Sequence, residues 1–140
     1  MNSLSAALIG QLIGLARATD GNEHLISERS TALIRECLAA TPDNDAELAH
    51  FMSRVEEAKR AMVPDCFFCA NPCGKTAAFD LSELETLPAD VQNAKYRILE
   101  RLLQSGAEAA GPSLYRGLIA LGTEGLSAEF LESIEKELTV

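Results

Sequence analysis

The chain has 140 residues, and 21 acidic against 12 basic side chains give a formal charge of −9, with a pI near 4.6. That length is one domain's worth, and a chain this acidic repels nucleic-acid phosphate, the more so because its basic residues are scattered and it has no Trp on which bases stack. A hydrophobic fraction of 47% supplies an ordinary core and excludes a disordered chain.

The aliphatic residues are 21 Ala and 20 Leu against 11 Val plus Ile, a choice that favours helix over strand. The most apolar stretch, Leu4 to Ala16, falls short of the roughly 20 residues that span a bilayer. No basic residue precedes it and no convincing cleavage site follows, so neither a membrane partner nor a signal peptide is expected and the location is read as cytoplasmic. In that reduced compartment clustered cysteines point to metal or redox chemistry rather than disulfides.

Asn2 and Ser3 can cap a first helix carrying Leu4, Leu8, Leu12 and Leu15 at helical spacing up to the turn at Thr19-Asp20-Gly21-Asn22. Gly10 and Gly14 lie one turn apart on it. Each costs about 1 kcal/mol relative to Ala, which predicts a close helix-helix approach and a central helix, packed within the chain or across a homodimer. A second helix is expected from Glu23 to about Ala40, with Ile26, Leu33, Ile34, Cys37 and Leu38 on one face and Pro42 closing it.

Asp43, Asn44 or Asp45 can cap a third helix, whose Leu48, Phe51, Met52, Val55, Lys59 and Met62 alternate three and four apart, with Lys59-Arg60 as a basic tip suited to the helix dipole. Pro64 ends it. A loop over 64–79 follows, then a short helix Leu81 to Leu87 opened by Asp80. Pro88 in a first turn starts a long helix with Val91, Ala94, Ile98, Leu99, Leu102 and Leu103, stopped by Gly106. Gly111-Pro112-Ser113 opens a fifth main helix through Leu114, Leu118 and Leu121. Ser127 caps the last, predicted to bury Phe130, Leu131, Ile134 and Leu138 and to expose Glu129, Glu132, Glu135 and Glu137. No strand and no internal repeat is visible, so residues 1–140 read as one all-α bundle of five to seven helices.

The chemistry concentrates in the loop. Cys66, Cys69 and Cys73 place three soft ligands within eight residues, a spacing that lets sulfurs converge on one metal centre without distant secondary structure. Iron-sulfur clusters and tetrahedral zinc both want thiolates and usually a fourth ligand. Cys37 is the first candidate, with His24 and His50 behind it, but a cysteine on an apolar helix face is equally a core residue. A Cys66-Cys69 dithiol switch would want a strand before it and a helix after it, and a helix end precedes it instead.

Gly74-Lys75-Thr76 has the look of the end of a phosphate-binding loop, but the glycine that pattern requires five residues earlier is Cys69, so a nucleotide site is excluded. The turn at Gly74 and Lys75 remains a candidate cofactor-binding element, since its backbone N–H groups can donate to cluster sulfurs. No Ser-His-Asp order, no HExxH and no general base beside the cysteines is present, so no catalytic residue is assigned and no enzymatic activity of its own is expected.

The run Cys66-x2-Cys69, then Cys73-Gly74-Lys75-Thr76-Ala77 and Asp80-Leu81-x-x-Leu84, resembles the N-terminal cysteine region of the hybrid-cluster (prismane) and carbon monoxide dehydrogenase family. The likeness covers Cys66 to Leu87. It implies a [4Fe-4S] cluster held against a helical domain, and it departs from the family in offering three local cysteines rather than four. The later domains that build the family's second metal centre have no counterpart in 140 residues. The expectation is therefore a cluster-binding module with an electron-transfer or redox-sensing role toward a protein partner; the alternative is an interaction protein whose loop holds zinc or free thiols.

Overall fold

In the computed structural model, which describes residues 2–19, 26–62 and 76–138, every regular element among those residues is helical. Helix α1 (Ser3–Ala18) starts where the Asn2 side chain accepts the Ser5 N–H, which satisfies one of the donors a helix leaves free at its first turn. Its Leu8, Leu12, Ile13 and Leu15 are each at most 1% exposed, so α1 is the axis of the bundle. It packs against α2 (Glu28–Ala39), α3 (Asp45–Met62) and α5 (Gly111–Leu121), while α4 (Ala89–Ser105) pairs with α5 and with α6 (Ala128–Leu138). The all-α bundle read from the sequence is what the chain adopts.

Caps follow side-chain chemistry closely. Asn44 accepts the Glu47 N–H and Glu47 returns an acceptor to the Asp43 N–H, a reciprocal pair at the head of α3. Ser127 Oγ does the same for the Phe130 N–H at α6. Asp80 opens the expected short helix, whose tighter winding makes Leu81–Thr86 a 3-10 helix. Pro88 is the cap residue of α4 rather than part of its first turn, and Gly106 closes that helix.

Four expectations need correction. Helix α2 begins at Glu28, not Glu23: Ser27 is extended and its hydroxyl accepts the Ser30 N–H, which fixes the start there, leaving Ile26 ahead of the helix and residues 20–25 outside the described ones. Phe130 is 51% exposed. The covered arc of α6 is Leu131, Ile134 and Leu138, and Phe130 lies about 100° around the helix from Leu131. The outer carboxylates of α6 are also less free than expected, because Arg97 and Arg101 of α4 reach Glu135 and Arg116 of α5 reaches Glu137.

The last correction concerns the two glycines of α1. They receive a backbone, but not that of another helix. Residues 76–80 run across α1 as a strap, and the Phe79 N–H donates to the Gly10 carbonyl at 3.0 Å. A β-carbon at Gly10 would lie 2.2 Å from the Phe79 carbonyl oxygen, and one at Gly14 would lie 2.6 Å from that of Thr76 and 2.7 Å from that of Ala77. A helix that surrenders side chains at both positions lets another stretch of backbone lie directly on its surface.

Candidate functional site

Cys66, Cys69 and Cys73, together with Gly74 and Lys75, lie outside the described residues, as does His24. The described chain leaves off before them at Met62, the last residue of α3, and resumes after them at Thr76, the start of the strap. Both elements pack on α1, so the geometry of the region is that of the two ends of the cysteine segment.

Lys59 stands at the last turn of α3, where its position on the apolar stripe carries it inward rather than to the dipole-facing tip. It is 5% exposed, and its Nζ donates to Gln11 Oε1. The same Nζ lies 3.0 Å from the point where a Gly14 β-carbon would sit, the point that the Thr76 and Ala77 carbonyls also approach. Loss of water around the ammonium pulls its pKa below the ordinary lysine range, against a smaller opposing pull from Glu56.

Arg17, one turn further along α1, ties three segments together. One terminal nitrogen donates to the Ala77 carbonyl at 2.7 Å, the other to the Gly122 carbonyl at 3.5 Å, and the guanidinium carbon sits 5.9 Å from the centre of the Phe79 ring. The exit of the cysteine segment is thus fastened by Gly10, Gly14 and Arg17, with a buried ammonium beneath it. Burial at this spot is efficient for the strap because its carbonyls meet cations and N–H groups instead of bare hydrocarbon.

Cys37 faces the core from α2. It is 2% exposed and borders a crevice of about 300 Å³ shared with Ser5, Leu8 and Leu103. Burial pushes its thiol up to about 12, so the group is protonated at neutral pH. Close by at the surface, Arg54 and Glu36 form a two-bond ion pair with distances of 2.7 and 2.9 Å, which holds the Glu36 carboxyl below its usual range. His50 is exposed on α3 with its ring edge-on to Phe51. Among the described residues no three His, Cys, Asp or Glu side chains are grouped to hold a metal ion.

Arg17 and Lys59 were not singled out as site residues from the sequence, and neither was Lys95, which is 3% exposed. A signal existed for the two lysines. Lys59 lies four residues after Val55, and Lys95 lies four after Val91 and three before Ile98, so both interrupt an apolar stripe with a charge. Comparison with known proteins finds no matching family model, no matching curated protein and no matching solved structure.

Proposed function

We propose that the chain is a small thiolate metal-binding module, taking an iron-sulfur cluster on Cys66, Cys69 and Cys73 and using it for electron transfer or redox sensing with a protein partner. The observation that carries this reading is the placement of three cysteines within eight residues, in a segment whose two ends lean on one rigid helix. Ligands on a short segment with fixed ends lose less conformational entropy when they converge on one centre than ligands on free chain.

The donor set fits such a group. A cluster bound by thiolates is anionic, and the exit of the segment carries the Arg17 guanidinium and the buried Lys59 ammonium, charges that favour deprotonated sulfur and raise the reduction potential of a nearby centre. When bound, the cluster supplies one-electron chemistry. The Gly74-Lys75 pair, read from the sequence as a turn, would supply backbone N–H donors to the sulfurs. Cys37 is the fourth-ligand candidate within the chain, at the cost of removing a proton from a thiol that burial strongly protonates.

The test is anaerobic purification with a visible spectrum and metal analysis of one sample. The reading expects a brown protein with broad absorption at about 400 nm and about four irons per chain, both lost in Cys69→Ser. A Cys37→Ala variant that keeps the colour assigns Cys37 to the core and leaves the fourth ligand elsewhere. One equivalent of zinc without colour overturns the cluster in favour of a structural clasp, and a protein free of metal overturns the module altogether.

A further inference from the structure

The two ends of the cysteine segment meet over one residue of α1. From the strap, the Thr76 and Ala77 carbonyl oxygens come within 2.6 and 2.7 Å of the point where a Gly14 β-carbon would sit, and from the last turn of α3 the Lys59 Nζ comes within 3.0 Å of the same point. A side chain at position 14 would stand between them. Thr76 is 2% exposed and Lys59 5%, so both ends are seated in the bundle. The described chain on either side of the three cysteines is thus anchored at neighbouring points of a single helix.

The two anchors differ in strength. Helix α3 is packed along α1, and Lys59 adds its bond to Gln11. The strap is held by less: the Phe79 N–H to the Gly10 carbonyl at 3.0 Å and the Ala77 carbonyl to Arg17 at 2.7 Å. Segments held by few bonds open first, so the strap is the anchor that can let go. While it is seated, Cys73 is tethered to the bundle by the three residues to Thr76; with the strap released, the tether runs eight residues to Leu81, where the 3-10 helix begins. The local concentration of a tethered group falls as about the −3/2 power of tether length, so release costs Cys73 a factor of about four.

We propose that Gly10 and Gly14 are positioning residues for the metal site: by admitting the strap to α1 they keep Cys73 at hand for Cys66 and Cys69, so that seating of the strap and binding of metal strengthen each other. The inference rests on the three cysteines taking a metal and holds for iron or zinc alike. Linkage makes it reciprocal. Whatever factor the seated strap adds to metal affinity, bound metal adds to the seating of the strap.

Anaerobic titration of the metal-free full chain with Co²⁺, followed by thiolate-to-cobalt charge-transfer absorption, measures the first half. Gly10→Ala displaces the strap without touching a cysteine and should bind Co²⁺ about fourfold more weakly than the parent. Ile134→Ala, a core truncation on α6, should lose stability and keep the parent's affinity. Because Gly10→Ala puts folding at risk, amide hydrogen exchange of the parent measures the second half: the Phe79 N–H, freed when the strap lifts, should exchange about fourfold more slowly once Zn²⁺ is bound. A parent that gives no charge-transfer band overturns the metal module and this inference with it. A parent that binds Co²⁺ overturns the linkage alone if Gly10→Ala binds equally well, if Ile134→Ala loses as much affinity, or if Zn²⁺ leaves Phe79 exchange unaltered.

Discussion

Replacing Gly10 with alanine sets two effects of opposite sign against each other. In an isolated helix the change is favourable by about 1 kcal/mol, because glycine loses more backbone freedom on becoming helical. In this fold the new methyl would stand 2.2 Å from the Phe79 carbonyl oxygen, against the 3.4 Å of an ordinary contact, and the obstacle is backbone rather than a side chain that can swing away. The strap must retreat by more than an ångström. That motion sacrifices the Phe79 N–H bond to the Gly10 carbonyl, about 1 kcal/mol, and carries the Phe79 ring away from Arg17, another ~0.5–1 kcal/mol. Overpacking adds about 1–3 kcal/mol. Against the gain in propensity, the balance is a loss of about 1.5–4 kcal/mol, or a fall of roughly 5–14 °C in Tm for a chain of this size. Urea and thermal unfolding followed by far-UV circular dichroism measure it, with Ala7→Gly at an exposed position of the same helix giving the propensity scale. A Gly10→Ala protein as stable as the parent, or more so, would refute the strap.

Two further outcomes follow from the buried titratable groups. Lys59 has its folded pKa held below the unfolded value of 10.5 by desolvation, so the unfolded chain holds the extra proton in the window just below 10.5, and the penalty for burying the ammonium fades as pH rises through it. The stability of the parent relative to Lys59→Met should therefore grow between pH 8 and 10.5 in urea unfolding; a difference independent of pH would count against a buried, desolvated Lys59. For Cys37, with its thiol at about 12 and its side chain buried, peptide mapping after iodoacetamide treatment at about pH 8 should find the residue unmodified in the native protein and fully modified in urea, because only the accessible thiolate reacts. Rapid native labelling of Cys37 would place it outside the core.

The helical class, the order of the elements and most of their ends were legible in the sequence because they rest on local chemistry. Asn2, Asn44, Asp80 and Ser127 cap where their side chains reach N–H groups a few residues on, and stripes such as Leu131, Ile134 and Leu138 need only the helical period. The start of α2 was misplaced for the same local reason, since the hydroxyl of Ser27 outweighs the apolar Ile26 before it. The cysteine spacing, too, is a property of the sequence alone and is the basis of the functional proposal.

What only the tertiary structure decided are the meetings between distant segments. Gly10 and Gly14 announce that something approaches α1 closely, yet a packed helix and a connecting strap make the same demand for space, and nothing local distinguishes them. Lys59 and Lys95 look like helix-end or surface charges until the partners are known: Gln11 for one, the carbonyls of Leu121 and Thr123 for the other. Arg17 finds its acceptors 60 and 105 residues away. A periodic pattern specifies which face of a helix is buried, because burial depends on hydrophobicity summed along that face; which backbone carbonyl a buried cation finds depends on where the rest of the chain crosses it, and that is fixed only when the bundle closes.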